Sequence, residues 1–279
     1  MLIEQVFPSV VSEKSTLRER LLAEALTRGI STEYTEKIES IVPKPLVNAG
    51  AFLDRLTGLW RYEFGVPYDI AENRIWGTQM WLPVEHLFNA LFCAHSRLLE
   101  SERTIYLERL ANPDLHHDTL VEMIPAHKVG ATVPLDFEVA GLSVGNRTVD
   151  WVINPQGGRS VLLDVKRRTV DFVHHVGSVG ADSAPTEPDH EPSLLFRNVE
   201  EKFVEADPDI QLQGVWIHTT IKQDAERLAV AYAALNASKV HFAILGDWKP
   251  DIYVLARKDT DRQYLLNLFS AVPSIRFTL

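Results

Sequence analysis

The stretch VLLDVKRR, residues 161–168, decides the fold expected for this chain. An apolar run that ends in charged residues is typical of a β-strand that leaves a core. Alternation along the strand places Asp164 and Lys166 on the same face. The preceding stretch TVDWVI, residues 148–153, is typical of a neighbouring strand in which Asp150 stands among apolar residues. Because the short turn PQGG connects the two strands as a hairpin, Asp150 is predicted to lie near Asp164.

The surrounding sequence extends this hairpin into a larger unit. A third β-rich segment precedes it, so three strands are expected to form an antiparallel meander, with amphipathic helical patterns on both sides. The segment 177–192, rich in Gly, Ser, Pro and Asp, is expected to be a surface loop. The predicted strands are 133–142, 148–154, 160–168, 214–221, 240–245 and 252–256, and the predicted helices are 115–127, 198–206, 223–238 and 261–269. The fold class that follows is α/β with a mixed sheet.

The part of the chain before residue 113 has a different pattern. Apolar residues recur there at helical spacing, and few stretches alternate with a period of two. The helical patterns cover 13–28, 31–41, 46–62 and 81–110. We therefore expect an accessory helical region over 1–112, followed by an α/β domain over 113–279.

Composition is typical of a globular protein, since 46% of the residues are hydrophobic and 24% are charged. The 28 Lys and Arg residues against 38 Asp and Glu residues give a formal charge of -10. This balance excludes a global positive field, so any contact with nucleic acid must be local. A single cysteine, Cys93, excludes a disulfide within the chain and a four-cysteine zinc site. The start MLIEQVFPSV lacks a signal-peptide pattern, and the most apolar window, 81–94, is too short to span a bilayer. A cytoplasmic protein with no membrane partner is expected.

The charged residues of the meander suit hydrolysis of a phosphodiester. A third carboxylate, Glu122, lies on the helix predicted just before the meander, so Glu122, Asp150, Asp164 and Lys166 are predicted to converge. Hard oxygen ligands select Mg²⁺ or Mn²⁺. Such an ion acidifies a bound water and neutralises charge in the transition state. A lysine beside it orients the attacking water or stabilises the developing charge.

This order of residues, a helix acid, a strand acid, a turn, and then a strand acid with a lysine, resembles the PD-(D/E)xK nuclease superfamily. The resemblance covers 115–221 and implies a restriction-endonuclease-like core. It implies that Asp150, Asp164 and the backbone carbonyl of Val165 bind the metal, that Glu122 assists at the metal or the water, and that Lys166 is the catalytic lysine. The sequence departs from the superfamily name in two places, since Val149 stands at the Pro position and Asp164 replaces the commoner Glu.

Basic residues close to this group are the predicted contacts with a nucleic-acid backbone. Arg168 shares the face of Lys166, Arg147 and Arg159 lie on the flanking turns, and Lys202 lies on the predicted second helix of the core. The expected activity is that of a magnesium-dependent endonuclease that binds DNA in preference to RNA. The resemblance is also compatible with a homodimer.

Other interpretations of the same residues stay open at this point. The chain can be a catalytically inactive protein of the nuclease fold that binds nucleic acid or protein, or a hydrolase of a small phosphorylated or acyl substrate. Asp164 and Lys166 can be an ordinary pair at a strand end, with Asp150 meeting Arg159 across the hairpin. The stretch GLSVG at 141–145 fits the G-x-S-x-G pattern of serine hydrolases. That motif requires a helix after the serine, whereas a strand follows here, so a hairpin loop is predicted.

Overall fold

The structure, a computed structural model, covers two compact units of the chain, Met1–Met123 and Ile124–Leu279. The boundary predicted between 112 and 113 stays a prediction. None of the described helices is long and apolar enough to cross a membrane. The described residues are 68–69, 74–75, 84–110, 115–167, 192–219, 223–248 and 250–269.

Several of the sequence predictions fall outside the described residues. They are the helices at 13–28, 31–41 and 46–62, most of the loop at 177–192, and Arg168.

In the first unit, the helical pattern over 81–110 is confirmed as two helices. The second helix begins after Leu99, whose backbone N–H donates to Glu102 Oε2 at 2.8 Å, and such a contact is typical of a helix start. A short antiparallel pair of strands, which the sequence did not predict, precedes the helices. The described elements of this unit are β1 (Tyr68–Asp69), β2 (Arg74–Ile75), α1 (Val84–Arg97), α2 (Glu100–Leu110) and α3 (His116–Glu122).

The second unit is built on a six-stranded sheet in the order β3-β4-β5-β6-β7-β8. The first three strands form the predicted antiparallel meander, β5, β6 and β7 run parallel, and β8 returns antiparallel to β7. The predicted α/β class with a mixed sheet is therefore confirmed. The elements are α4 (Ile124–Lys128), β3 (Leu135–Ala140), β4 (Thr148–Ile153), β5 (Ser160–Arg167), α5 (Pro192–Glu200), β6 (Gln211–His218), α6 (Ala225–Asn236), β7 (Phe242–Gly246), β8 (Ile252–Ala256) and α7 (Asp259–Leu268).

The sheet is held by apolar side chains on both faces. One face packs against α5 and α6, which contribute Leu195, Phe196 and Val199, and Leu228, Ala231 and Leu235. Aromatic side chains fill much of the remaining core, where Trp216 meets Phe269 with ring centroids 5.6 Å apart. Residues 161–165 of β5 are all buried, so the charged end of this strand projects from a rigid centre. Buried apolar surface contributes most of the free energy that holds such a unit together.

Two predicted helices differ from the structure. The helix predicted over 115–127 is interrupted at Met123, since Pro125 has no N–H to continue the hydrogen-bond ladder. The helix predicted over 198–206 is wrong in position, because α5 starts at Pro192, a residue that favours the first turn, and ends at Glu200.

After Glu200 the chain pairs with the β3–β4 connection. Val144 N–H donates to the Lys202 carbonyl at 2.8 Å, Val204 N–H donates to the Leu142 carbonyl at 3.3 Å, and Ser143 bridges to Phe203. Lys202 therefore lies in the turn that follows α5, next to the β3–β4 connection, and not on a helix.

A close approach between β6 and β7 depends on a glycine. Gly214 pairs with Phe242, and a Cβ on Gly214 would lie 2.5 Å from the ring of Phe242. We expect Gly214→Ala to lower the free energy of unfolding by about 2 kcal/mol, because the buried ring has to move. Gly130→Ala is the matched control, since its added Cβ meets Val133 at an ordinary 3.9 Å. Urea denaturation of both variants measures the difference, and equal midpoints would contradict the predicted clash.

A lysine is buried in the second unit. Lys128 is 1% exposed, and its ammonium donates to the Trp248 carbonyl at 3.0 Å. Burial lowers the pKa of Lys128 to about 8, although the nearby carboxylates of Asp247 and Asp251 oppose this shift. The folded protein therefore releases this proton at a lower pH than the unfolded chain does.

This lysine predicts a pH dependence of stability. Below pH 8 Lys128 is charged in both states and its burial costs free energy, while between pH 8 and 10.5 the cost falls as the folded state loses the proton first. The free energy of unfolding of the wild type, minus that of Lys128→Met, should therefore rise over this range. Denaturation of both proteins at matched pH values measures it. A difference that stays flat or falls with pH would rule the effect out.

Candidate active site

Two carboxylates lie side by side on adjacent strands of the sheet. In the β4–β5 ladder Trp151 pairs with Leu163, so the same register places Asp150 opposite Asp164. The side chain of Asp164 is 1% exposed and that of Asp150 is 13% exposed. Asp150 and Asp164 therefore lie close together in the hairpin, as predicted.

Lys202 lies between the two carboxylates. Its ammonium donates to Asp150 Oδ1 at 3.0 Å and also to Asp164 Oδ1, and its side chain is 13% exposed. The backbone of Lys202 is fixed by its N–H, which donates to the Val199 carbonyl at 3.1 Å, and by the hydrogen bond from Val144. Lys202 was predicted to contact nucleic acid, and that role stays a prediction. Its side chain is committed to the acids of the site.

Two further contacts complete the group. The backbone N–H of Val165 donates to Asp150 Oδ2 at 2.7 Å, which orients the Asp150 carboxylate toward β5. The ammonium of Lys166 lies 2.7 Å from Asp164 Oδ2, as expected for residues on the same face of the strand. Lys166 is 41% exposed, so its ammonium stands between the buried acid and solvent. Two acids and two lysines thus form one compact, charge-balanced group.

The two carboxyl groups differ in their tendency to ionise. Burial, together with the negative charge of Asp164, raises the pKa of Asp150 to about 6. Burial also acts on Asp164, but the ammonium groups of Lys166 and Lys202 outweigh it and hold the pKa of Asp164 below its usual range. The same two acids outweigh the burial of Lys202 and raise the pKa of its ammonium. Asp164 and Lys202 therefore form a fully charged pair, and Asp150 is the weaker acid beside it.

The donor set suits a hard divalent ion. Asp150 and Asp164 each direct an oxygen at the same ammonium, so the two carboxylates converge on one cationic position, and carboxylate oxygens are ligands that Mg²⁺ and Mn²⁺ favour. Within the described ranges, no group of three or more His, Cys, Asp or Glu side chains could hold a metal ion. An ion here would depend on these two acids, with backbone carbonyls and water completing its coordination.

The remaining predicted residues lie in other surroundings. Glu122 ends α3 in the first unit, where its Oε1 lies 2.6 Å from the Arg109 guanidinium. Its assistance to the metal or the water stays a prediction, as does a role of the Val165 carbonyl as a ligand. Arg147 is exposed on the β3–β4 connection, where its carbonyl accepts a hydrogen bond from Ser143. This contact belongs to a hairpin loop, as predicted for the G-x-S-x-G stretch.

Arg159 does not meet Asp150. Its guanidinium donates to Asp261 at 2.7 Å and to the Pro208 carbonyl at 3.1 Å, and it lies 4.8 Å from the centre of the Tyr264 ring. Arg159 precedes β5, and at a strand rise of about 3.3 Å per residue it lies roughly 16 Å along the chain from Asp164. The alternative in which Asp150 pairs with Arg159 is therefore wrong, while a contact of Arg159 with nucleic acid stays a prediction.

The fold and site define an α/β protein with a mixed sheet and a buried group of two acids and two lysines. Neither a protein-family model, nor a curated protein, nor a solved structure matches the chain. Any function proposed for the chain therefore has to follow from its own residues.

The two lysines of the site should contribute very differently to stability. Lys202→Met leaves two buried carboxylates without their shared cation, so we expect it to lower the free energy of unfolding by about 3 kcal/mol. Lys166→Met removes the more exposed partner of a single acid and should cost less than about 1 kcal/mol. Chemical denaturation at pH 7 in chelator compares the two variants. Equal losses would show that Lys202 is not the main compensating charge.

Proposed function

We propose that this chain is a metal-dependent phosphodiesterase that cleaves nucleic acid, with DNA as the favoured substrate. The observation that carries the proposal is the convergence of Asp150 and Asp164 on one cationic position, with Lys166 at the solvent side of Asp164. The resemblance to PD-(D/E)xK nucleases supports it, since the same acids and lysine carry that motif. The described elements also follow the order expected for a restriction-endonuclease-like core, which is helix, meander, helix and parallel strand.

In this proposal, Asp150 and Asp164 would hold Mg²⁺ or Mn²⁺. When bound, such an ion acidifies water and neutralises charge on a phosphate in the transition state. The Val165 N–H keeps the Asp150 carboxylate in place by a hydrogen bond of 2.7 Å. The ammonium of Lys166, anchored on Asp164, is accessible enough to orient an attacking water or to contact a phosphate oxygen. Its positive charge is fixed next to the acids and does not depend on a substrate.

Binding of the nucleic-acid backbone is assigned to local cations, because the chain carries a net charge of -10. Arg147 is exposed, and the Lys166 side chain, near the end of β5, is 41% exposed. A contact of this kind supplies position and not sequence specificity. With a single cysteine, buried and free in the structure, the chain is suited to the reducing cytoplasm, where we place it. A homodimer is part of the same proposal.

A second candidate is favoured by Lys202. Its ammonium neutralises both carboxylates, which is the arrangement expected if the site has become structural and the protein binds nucleic acid or protein without cleaving it. The two candidates differ in a single respect, namely whether a metal ion allows the site to cut a phosphodiester.

The direct test is incubation of the purified chain with labelled single-stranded DNA, duplex DNA and RNA in Mg²⁺, Mn²⁺ or chelator. We expect cleavage that requires metal, prefers DNA, and falls at least about 100-fold in Asp164→Asn and in Lys166→Met. Lys239→Ala, a change at an exposed residue outside the site, should cleave as the wild type does. Products that persist in chelator or in Asp164→Asn would indicate a contaminating nuclease. Complete lack of cleavage by the folded wild type favours the second candidate.

A further inference from the structure

We infer that Lys202 is a built-in competitor of the metal: its ammonium fills the position where a divalent ion would bind, and it has to withdraw for the ion to enter. The inference rests on the metal-dependence of the proposed function and adds a regulatory step to it. It follows from three contacts on the same site, those of Lys202 with Asp150 and Asp164 and that of Lys166 with Asp164.

The first step is that one position serves both cations. The Lys202 ammonium donates to one oxygen of each carboxylate, at 3.0 Å to Asp150 Oδ1 and also to Asp164 Oδ1. Ligand oxygens of Mg²⁺ lie at about 2.1 Å, so small inward movements of the two carboxylates convert the ammonium position into an ion position. An ammonium and a divalent ion cannot occupy it together, because both their volumes and their charges oppose it.

The second step is that the Lys202 ammonium can move away from the two acids. Its backbone lies beyond the end of α5 on a segment whose neighbouring side chains, Glu201 and Glu205, are exposed acids. These carboxylates offer an ammonium other partners near solvent. The long, flexible stem of a lysine allows its head group to move while the backbone stays in place. The hydrogen bonds of the Lys202 backbone with Val199 and Val144 therefore do not have to break.

The third step separates Lys202 from Lys166. The ammonium of Lys166 contacts the other oxygen of Asp164, Oδ2, and the Lys166 side chain is 41% exposed, whereas the ammonium of Lys202 lies between the two acids. Lys166 can therefore remain beside a bound ion, and Lys202 cannot. The two lysines carry the same charge next to the same acid. Lys166 is therefore the matched control for the effect of removing one positive charge near Asp164 without emptying the ion position.

The test measures metal binding and not cleavage. The full-length wild type, Lys202→Gln, Lys166→Gln and Asp164→Asn are titrated with Mn²⁺, and free Mn²⁺ is followed by electron paramagnetic resonance. We expect Lys202→Gln to bind Mn²⁺ at least about tenfold more tightly than the wild type, since an opposing charge leaves the ion position. Lys166→Gln should change the affinity by less than about threefold because solvent screens its charge, and Asp164→Asn should weaken binding. An affinity of Lys202→Gln equal to or below that of the wild type overturns the inference.

A second measurement uses the wild type, so it does not depend on how a variant folds. An amine-acylating reagent is applied with and without saturating Mn²⁺, and labelled lysines are quantified by mass spectrometry. Labelling of Lys202 should rise severalfold on addition of Mn²⁺, while that of Lys239, exposed in the structure, stays constant. Labelling of Lys202 that is unchanged or reduced by bound Mn²⁺ overturns the inference, as does a lack of Mn²⁺ binding by both the wild type and a folded Lys202→Gln.

These results are separable from those of the cleavage assay. Tighter Mn²⁺ binding by Lys202→Gln with no cleavage of any nucleic acid would support the competition between Lys202 and the metal and contradict the proposed nuclease activity. Metal-dependent cleavage with unchanged Mn²⁺ affinity in Lys202→Gln would support the nuclease activity and contradict the competition.

Discussion

The site depends on the pairing of two buried carboxylates with one ammonium. Asp150 and Asp164 face each other across the β4–β5 hairpin, and two negative charges in such a position are costly without a cation between them. Lys202 supplies that cation. The requirement extends to the backbone, because Lys202 reaches the acids only while the segment after α5 stays paired with the β3–β4 connection. Charge compensation in the site therefore depends on the packing of α5 and of the segment that follows it.

The rigidity of the sheet sets the precision of the site. Both acids lie on strands of the meander, and β5 is flanked by β4 on one side and by β6 on the other. The N–H of Val165, on β5, bonds to Asp150, on β4, and so ties the side chain of one strand to the backbone of the next. Two carboxylates held in this way need only small movements to bind a small cation once the Lys202 ammonium has withdrawn, whereas a site built only from loops would first have to become ordered.

The positive charge near the site is local. The chain as a whole is acidic, with a formal charge of -10, but the end of β5 carries Lys166 and Arg167 in sequence. A balanced group of two acids and two lysines has little net charge of its own. Exchange of the Lys202 ammonium for a divalent ion would make the position more positive and therefore more attractive to a phosphate. Under the proposed function, the same residues would form a resting state held by Lys202 and a second state that binds metal.

The hairpin of the site was predictable from the sequence alone. Two β-rich runs, 148–153 and 160–167, with a short turn between them predict the pairing of β4 with β5 and the approach of Asp150 to Asp164. The alternation of side chains along a strand predicts the shared face of Asp164 and Lys166. The mixed sheet also follows, since strand and helix patterns alternate after the meander. The features of the hairpin depend on neighbours close in the chain, which a sequence pattern records directly.

Other features were decided only by tertiary structure. The position of Lys202 between the acids and the pairing of Arg159 with Asp261 each join residues that lie far apart in the chain. The sequence of 198–206 does not show that the ammonium of Lys202 lies between the two acids. Local periodicity predicts which face of a helix or strand is buried. The partner of a buried charge depends instead on how distant elements pack. The periodicity of the sequence therefore does not predict that partner.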